Sequence, residues 1–185
     1  MSEQHDDERA EVAARFELLA RDLIEPLRRY LARRTDPETA ADVLAETLLV
    51  CWRRFDDVPA GDGALPWAYG VTKGCLANAQ RSARRQRRVA GKVAALDPPR
   101  ETAPVPEGDP ALHEALGRLS ASDAELLRLW AWEQLKPAEI AVVLDLTPNA
   151  VSARLTRAKA ALRKELARSR QDSSGTGHEP AEGRQ

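Results

Sequence analysis

Hydrophobic positions recur every three to four residues along most of the chain, beginning with Phe16, Leu19, Leu23, Leu27 and Leu31. That spacing lays one apolar stripe on a helix and predicts a first helical segment over about 12–34, with Pro26 as the place where it kinks or restarts. Thr35-Asp36-Pro37-Glu38 has the build of a helix start: a capping oxygen, a proline near the first turn and acids that complement the dipole. The helix that follows turns Val43, Leu44, Leu48, Cys51, Trp52 and Phe55 inward and leaves Asp42 and Glu46 together on a face beside that stripe. Residues 56–64, DDVPAGDGA, read as a loop. Pro66-Trp67 then opens a third long helix that runs through Val71, Cys75, Leu76 and Ala79 into a basic stretch from Arg81 to Lys92.

The periodicity stops at DPPRETAPVPEGDP, residues 97–110, where closely spaced prolines forbid helix and strand alike. The chain therefore divides into an N-terminal block over 12–95, a linker over 96–110, a C-terminal block over 111–170 and a polar tail over 171–185 with the composition of disorder. The second block reads as four helices. Ala111–Leu119 comes first, then Asp123–Glu133, capped by Ser120 or Ser122, each with a Leu-rich stripe. Next is a short helix, Lys136–Leu144, with Ile140, Val143 and Leu144 inward, and a turn Asp145-Leu146-Thr147. Pro148 starts the last helix, which buries Val151, Leu155, Ala158, Leu162 and Leu166. Two helices joined by a three-residue turn, the second strongly basic, make a helix-turn-helix.

Composition narrows the picture. Ala, Leu and Val dominate an apolar fraction of 43%, and aromatics are 4%. Strand-like alternation is missing, so the fold class is all-α: two small helical domains joined by a Pro-rich linker. The acidic start MSEQHDDERAE is no secretory signal and no apolar run reaches membrane-spanning length, so a cytoplasmic protein without membrane insertion is expected. Cys51 and Cys75 sit within apolar helical patterns and read as reduced core residues. His5, His113 and His178 are scattered, and no Gly-rich phosphate loop or nucleophile–base pair accompanies them. No metal, cofactor, small-molecule substrate or catalytic activity is expected. Trp130 and Trp132 cannot both face inward on one helix, so one of them belongs to a surface.

The net charge of −1 conceals an uneven distribution. Acids crowd residues 36–63 (Asp36, Glu38, Asp42, Glu46, Asp56, Asp57, Asp62), bases alone occupy 73–92, and 150–170 is basic again, with Glu165 its single acid. Basic faces neutralise phosphates, and an acidic face suits a basic protein partner, although solvated helix faces explain any one run taken alone. At the start of the last helix, Pro148, Asn149, Ser152, Ala153 and Thr156 lie off the apolar stripe, where a recognition helix meets base edges. Asn149 suits an adenine edge or a phosphate, Ser152 accepts or donates, and Arg154 and Arg157 suit guanine or backbone. A helical hairpin that only packs or binds protein is the competing reading. Asp145 stands where glycine is usual in such turns, and Asp tolerates left-handed geometry.

Taken together, LGRLSASDAELLRLWAWEQLKPAEIAVVLDLTPNAVSARLTRAKAALRKEL resembles region 4 of RNA polymerase sigma factors. DPETAADVLAETLLVCWRRFDDV and LPWAYGVTKGCLANAQRSARR resemble region 2, in the two-domain arrangement of the extracytoplasmic-function group of the sigma-70 family. The resemblance implies a factor that works with core RNA polymerase on promoter DNA. It implies docking on the coiled coil of the largest polymerase subunit through Asp42, Val43, Ala45, Glu46 and Thr47, with Ala45 where the family usually has Gln. It implies contacts to the −10 element from the loop at 56–65 and from Trp67, Lys73, Asn78, Arg81, Arg84 and Arg85. Trp67 also reads as a core anchor, and Asn78 and the Lys73-Gly74 pair depart from the family's usual residues, which implies an unusual −10 preference. The −35 element falls to Lys136, Thr147, Pro148, Asn149, Ser152, Ala153, Arg154, Thr156 and Arg157. Glu101, Glu107 and Asp109 of the linker would mimic a nucleic-acid backbone in the polymerase channel or simply solvate a tether. An anti-sigma partner is compatible with the resemblance but not required by it. Two other readings compete with the initiation factor: a polymerase-independent helix-turn-helix regulator, and a protein that sequesters another factor.

Overall fold

The computed structural model describes residues 2–90 and 109–174, and among them all regular structure is helical. The expected linker over 96–110, apart from Asp109 and Pro110, lies outside the described residues, as do Lys92 and the tail beyond Ser174. In chain order the helices are α1 (Ser2–Ala32), α2 (Pro37–Arg53), α3 (Ala64–Ala90), α4 (Pro110–Gly117), α5 (Ala121–Ala131), α6 (Pro137–Leu144) and α7 (Pro148–Ser174). Short 3-10 turns at Phe55–Asp57 and Gly61–Gly63 connect α2 to α3. Two compact units emerge: residues 1–106 with 141–146, and residues 107–140 with 147–185. Among the described residues no helix is long and apolar enough to cross a membrane.

The first unit is a three-helix core. Leu23, Leu27, Tyr30 and Leu31 of α1 are essentially inaccessible, as are Val43, Thr47 and Cys51 of α2 and Ala68, Tyr69 and Thr72 of α3. Each fully buried Leu contributes about 1.5–3 kcal/mol, so this stripe holds the unit together. The rings of Tyr30 and Tyr69 pack 5.1 Å apart. The two buried threonines carry no unpaired polar group, because each hydroxyl donates to the carbonyl one turn back, Thr47 to Val43 (2.7 Å) and Thr72 to Ala68 (2.8 Å). Pro26 does not break α1, which starts ten residues earlier than its stripe predicts. Asp36 caps α2 through the Thr39 amide (2.9 Å), with Pro37 in the first turn, as the sequence led one to expect. This hydrogen bond lowers the Asp36 pKa.

One core assignment fails. Trp52 is 41% exposed and Leu49 46%, whereas Thr47 is buried. α2 is apolar over more of its circumference than α1 and α3 together can cover, and the covered arc centres on Val43, Thr47 and Cys51. Trp52 is left with edge-on contact from Phe16 at 5.1 Å, and Phe16 in turn meets Phe55 at 5.9 Å.

In the second unit Ala115 and Leu116 of α4, Ala124, Leu126, Leu127 and Leu129 of α5, and Val151, Leu155 and Ala158 of α7 are buried. Ser120 caps α5, its hydroxyl accepting from the Asp123 amide at 3.1 Å. That helix ends where Gln134 takes a left-handed φ of 55° and the Leu135 amide reaches back to the Leu129 carbonyl at 3.1 Å. Of the two neighbouring tryptophans, Trp130 is the exposed one and Trp132 is half-buried.

Candidate functional site

Three surfaces carry the residues singled out from sequence. On α2, Asp42, Ala45 and Glu46 are exposed, and Leu49 and Trp52 extend the same flank by two further turns. Val43 and Thr47, grouped with them by the resemblance, are 1% and 0% exposed. They shape this face from beneath and offer no side chain to a partner. The arrangement is an acidic edge beside an apolar strip, a surface suited to a partner that brings both basic and apolar groups. Periodicity alone missed Leu49 and Trp52, because an apolar residue on a helix reads as core until its neighbours are known.

The second surface runs from the loop after α2 along α3. Gly61 takes a φ of 60°, which suits glycine, and a Cβ on Gly63 would stand 2.8 Å from Pro59, so this loop depends on both glycines for its path. Arg54 pairs with Asp57 at 2.8 Å and lies 5.5 Å above the ring of Trp67, which is half-buried. Trp67 is thus partly a packing residue and partly accessible beside the loop. Further along α3, Lys73, Asn78, Arg81, Arg84 and Arg85 are all exposed, and an Arg81 guanidinium nitrogen donates to the Asn78 side-chain oxygen. A polar groove of about 430 Å³ opens between the α1–α2 corner and the last turns of α3. Arg34, Asp36, Asp42, Gln80, Arg84 and Arg87 are among its lining residues. It brings the acidic start of α2 to the basic end of α3, a juxtaposition that no local pattern announces.

The third surface is the helix-turn-helix. The Lys136 amide donates to the Glu139 carboxylate at 2.6 Å at the start of α6. After Leu144 the chain turns through Asp145 with a φ of 54°, and the Leu146 amide reaches the Ala141 carbonyl at 3.0 Å. Thr147 caps α7, its hydroxyl accepting from the Ala150 amide at 3.2 Å. Both features match the expected turn. Pro148, Asn149, Ser152, Ala153, Thr156 and Arg157 are exposed on the first three turns, opposite the buried Val151, Leu155 and Ala158. Ser152 and Thr156 also donate to carbonyls one turn back, at 3.0 and 3.1 Å, without losing their accessibility. Arg154 behaves differently. Its Nε donates to Asp123 at 2.8 Å, and another guanidinium nitrogen donates to the Ser122 hydroxyl. The Ser120 hydroxyl first, and Arg154 second, hold the Asp123 carboxyl below its usual pKa. The cysteines belong to none of these surfaces: both are buried and unbridged, and burial pushes the Cys51 thiol up to about 11.

Residues 110–162, spanning α4 to the middle of α7, match the family described as sigma-70, region 4. A probable RNA polymerase sigma factor RfaY from Xanthomonas campestris pv. campestris is 31% identical over 145 residues, covering 74% of this chain and 36% of that relative. The chain thus spans about a third of the length of that curated relative. Among solved structures, the sigma factor RpoE from Bartonella quintana, in complex with the anti-sigma factor NepR, aligns with a TM-score of 0.57 at 18% identity over 85% of this chain and 97% of that one. CnrH in complex with the cytosolic domain of CnrY aligns with a TM-score of 0.51 at 22% identity, over 85% and 86% of the two chains. With the region 4 match lying across the helix-turn-helix and the fold shared along most of the chain, this chain belongs to the sigma-70 family of RNA polymerase sigma factors.

Proposed function

We propose that the chain is a promoter-reading initiation factor that acts only with core RNA polymerase, in the cytoplasm. Its acidic and apolar α2 face docks on the polymerase, the loop and α3 engage the −10 element, and the first turns of α7 read the −35 element. The observation that carries this reading is the exposed, capped start of α7, with Asn149, Ser152, Ala153 and Arg157 presented on one side of a helix whose other side is buried. Basic α3 residues supply phosphate contacts whichever bases are read. The near-neutral net charge supports dependence on polymerase, since a domain that binds DNA unaided usually has a pI above about 9 and this chain's is about 6.3.

Reconstituted transcription on a genomic promoter library with core polymerase tests the proposal. Specific initiation is expected with polymerase and no stable promoter complex without it, whereas tight operator binding by the chain alone would favour a polymerase-independent regulator. The docking face has its own test. Replacing Asp42 and Glu46 by Lys should lower affinity for core polymerase by at least about tenfold, because like charges brought together at an interface cost several kcal/mol. The fold should be unchanged, since both side chains are exposed. Full affinity in a pull-down would remove α2 as the docking helix. RpoE of Bartonella quintana was solved bound to an anti-sigma factor, and a partner of that kind for this chain would compete with polymerase in the same assay.

A further inference from the structure

We infer that Arg154 is a positioning residue for the recognition helix: its guanidinium grips the N-terminal cap of α5 and, through that grip, fixes the rotation at which α7 presents Asn149 and Ser152. The inference rests on the proposed reading of α7 as the −35 reader. The grip is a closed network. Arg154 Nε donates to Asp123 Oδ1 at 2.8 Å, and a second nitrogen donates to Ser122 Oγ. The other Asp123 oxygen accepts from Ser120 Oγ at 2.7 Å, and Ser120 Oγ stands 3.2 Å from Ser122 Oγ while accepting from the Asp123 amide. Both charged side chains are about one-third exposed, 31% for Arg154 and 34% for Asp123, so the pair is partly shielded from solvent.

The location explains why an ion pair stands here. Arg154 lies at the border of the buried stripe, beside Leu155 and one turn from Val151. Apolar contacts along that stripe are non-directional and tolerate a few degrees of roll about the helix axis. A guanidinium held at two points by fixed oxygens is directional, because its donors form a rigid planar fork. The network therefore adds an angular constraint at the level of the DNA-facing turns. The same geometry argues against a phosphate contact from Arg154, since the Asp123 carboxylate beside it would repel the phosphate. Arg157, one turn out and exposed, is better placed for that contact.

Salt dependence separates the two roles. Holoenzyme made with the full chain and core polymerase is titrated on promoter fragments at several salt concentrations. The variants are Arg154→Ala, Asp123→Asn, their double variant and Arg157→Ala. Each clasp variant should weaken promoter binding about tenfold and the double variant no further, because groups in one network are not additive. The slope of log affinity against log salt should stay at the wild-type value for all three, while Arg157→Ala flattens it by about one unit. A randomised −35 library should return a blurred motif for Arg154→Ala. Should Arg154→Ala fail to fold, Arg154→Lys keeps the charge but loses the two-point hold and should show the same weakening at unchanged slope. A slope flattened by one in Arg154→Ala, with Asp123→Asn at or above wild-type affinity, would overturn the inference and make Arg154 a phosphate contact. The Asn149→Ala, Ser152→Ala variant is measured alongside. If its −35 motif is unchanged, the reading of α7 itself fails and the inference falls with it; if it changes, a flattened Arg154→Ala slope overturns the positioning role alone.

Discussion

Asn149→Ala combined with Ser152→Ala is expected to rewrite the −35 preference of the holoenzyme while leaving its −10 preference untouched. Both side chains are exposed on the first turns of α7, and the residues facing away from them, Val151 and Leu155, are buried, so the substitution removes base-edge groups without touching the core. Each good base contact contributes about 1–3 kcal/mol of discrimination, so the double change should flatten the motif at the positions it reads by at least an order of magnitude. Arg163→Ala or Lys164→Ala, two further exposed sites along the helix, provides the contrast. Loss of a backbone contact weakens all promoters alike and lowers the salt slope by about one unit. An unchanged −35 motif from a randomised library with the double variant would show that base reading lies elsewhere.

The second large effect concerns stability. Leu129→Ala should destabilise the C-terminal unit by about 2–5 kcal/mol, since a fully buried leucine leaves a cavity as well as losing its own burial. For a unit of this size that corresponds to a drop on the order of 10 °C or more in its melting transition. If residues 107–140 with 147–185 behave as the separate unit their contacts describe, calorimetry should show this transition move while the N-terminal one stays. Equal shifts of the whole chain in a single transition would mean that the two units melt together.

How much of this could be read from the sequence depended on whether the deciding interaction was local. Asp36-Pro37 and Thr147-Pro148 start helices where expected, and Ser120, one of two candidate caps, starts α5 two residues ahead of the expected Asp123, because a cap is settled by three or four consecutive residues. The left-handed Asp145 was legible for the same reason. Trp52 and Thr47 were not. Their placement depends on which arc of α2 its two neighbours cover, and an apolar stripe wider than that arc does not reveal its own centre. From sequence Arg154 reads as a DNA contact; the Asp123 that holds it is 31 residues away, so nothing local distinguishes a clasp from a free base. The groove between the α1–α2 corner and α3 is likewise a product of packing.

Both thiols of the chain, Cys51 and Cys75, lie in the N-terminal core, on α2 and α3, and burial raises the pKa of each. An alkylating reagent reacts with thiolate, so these sulfurs stay silent while α2 and α3 remain packed together and respond when they part. The second unit contributes no sulfhydryl signal, because the chain has no other cysteine. Modification rate is therefore a stopwatch for opening of the N-terminal unit alone, readable in the full chain without any label being introduced.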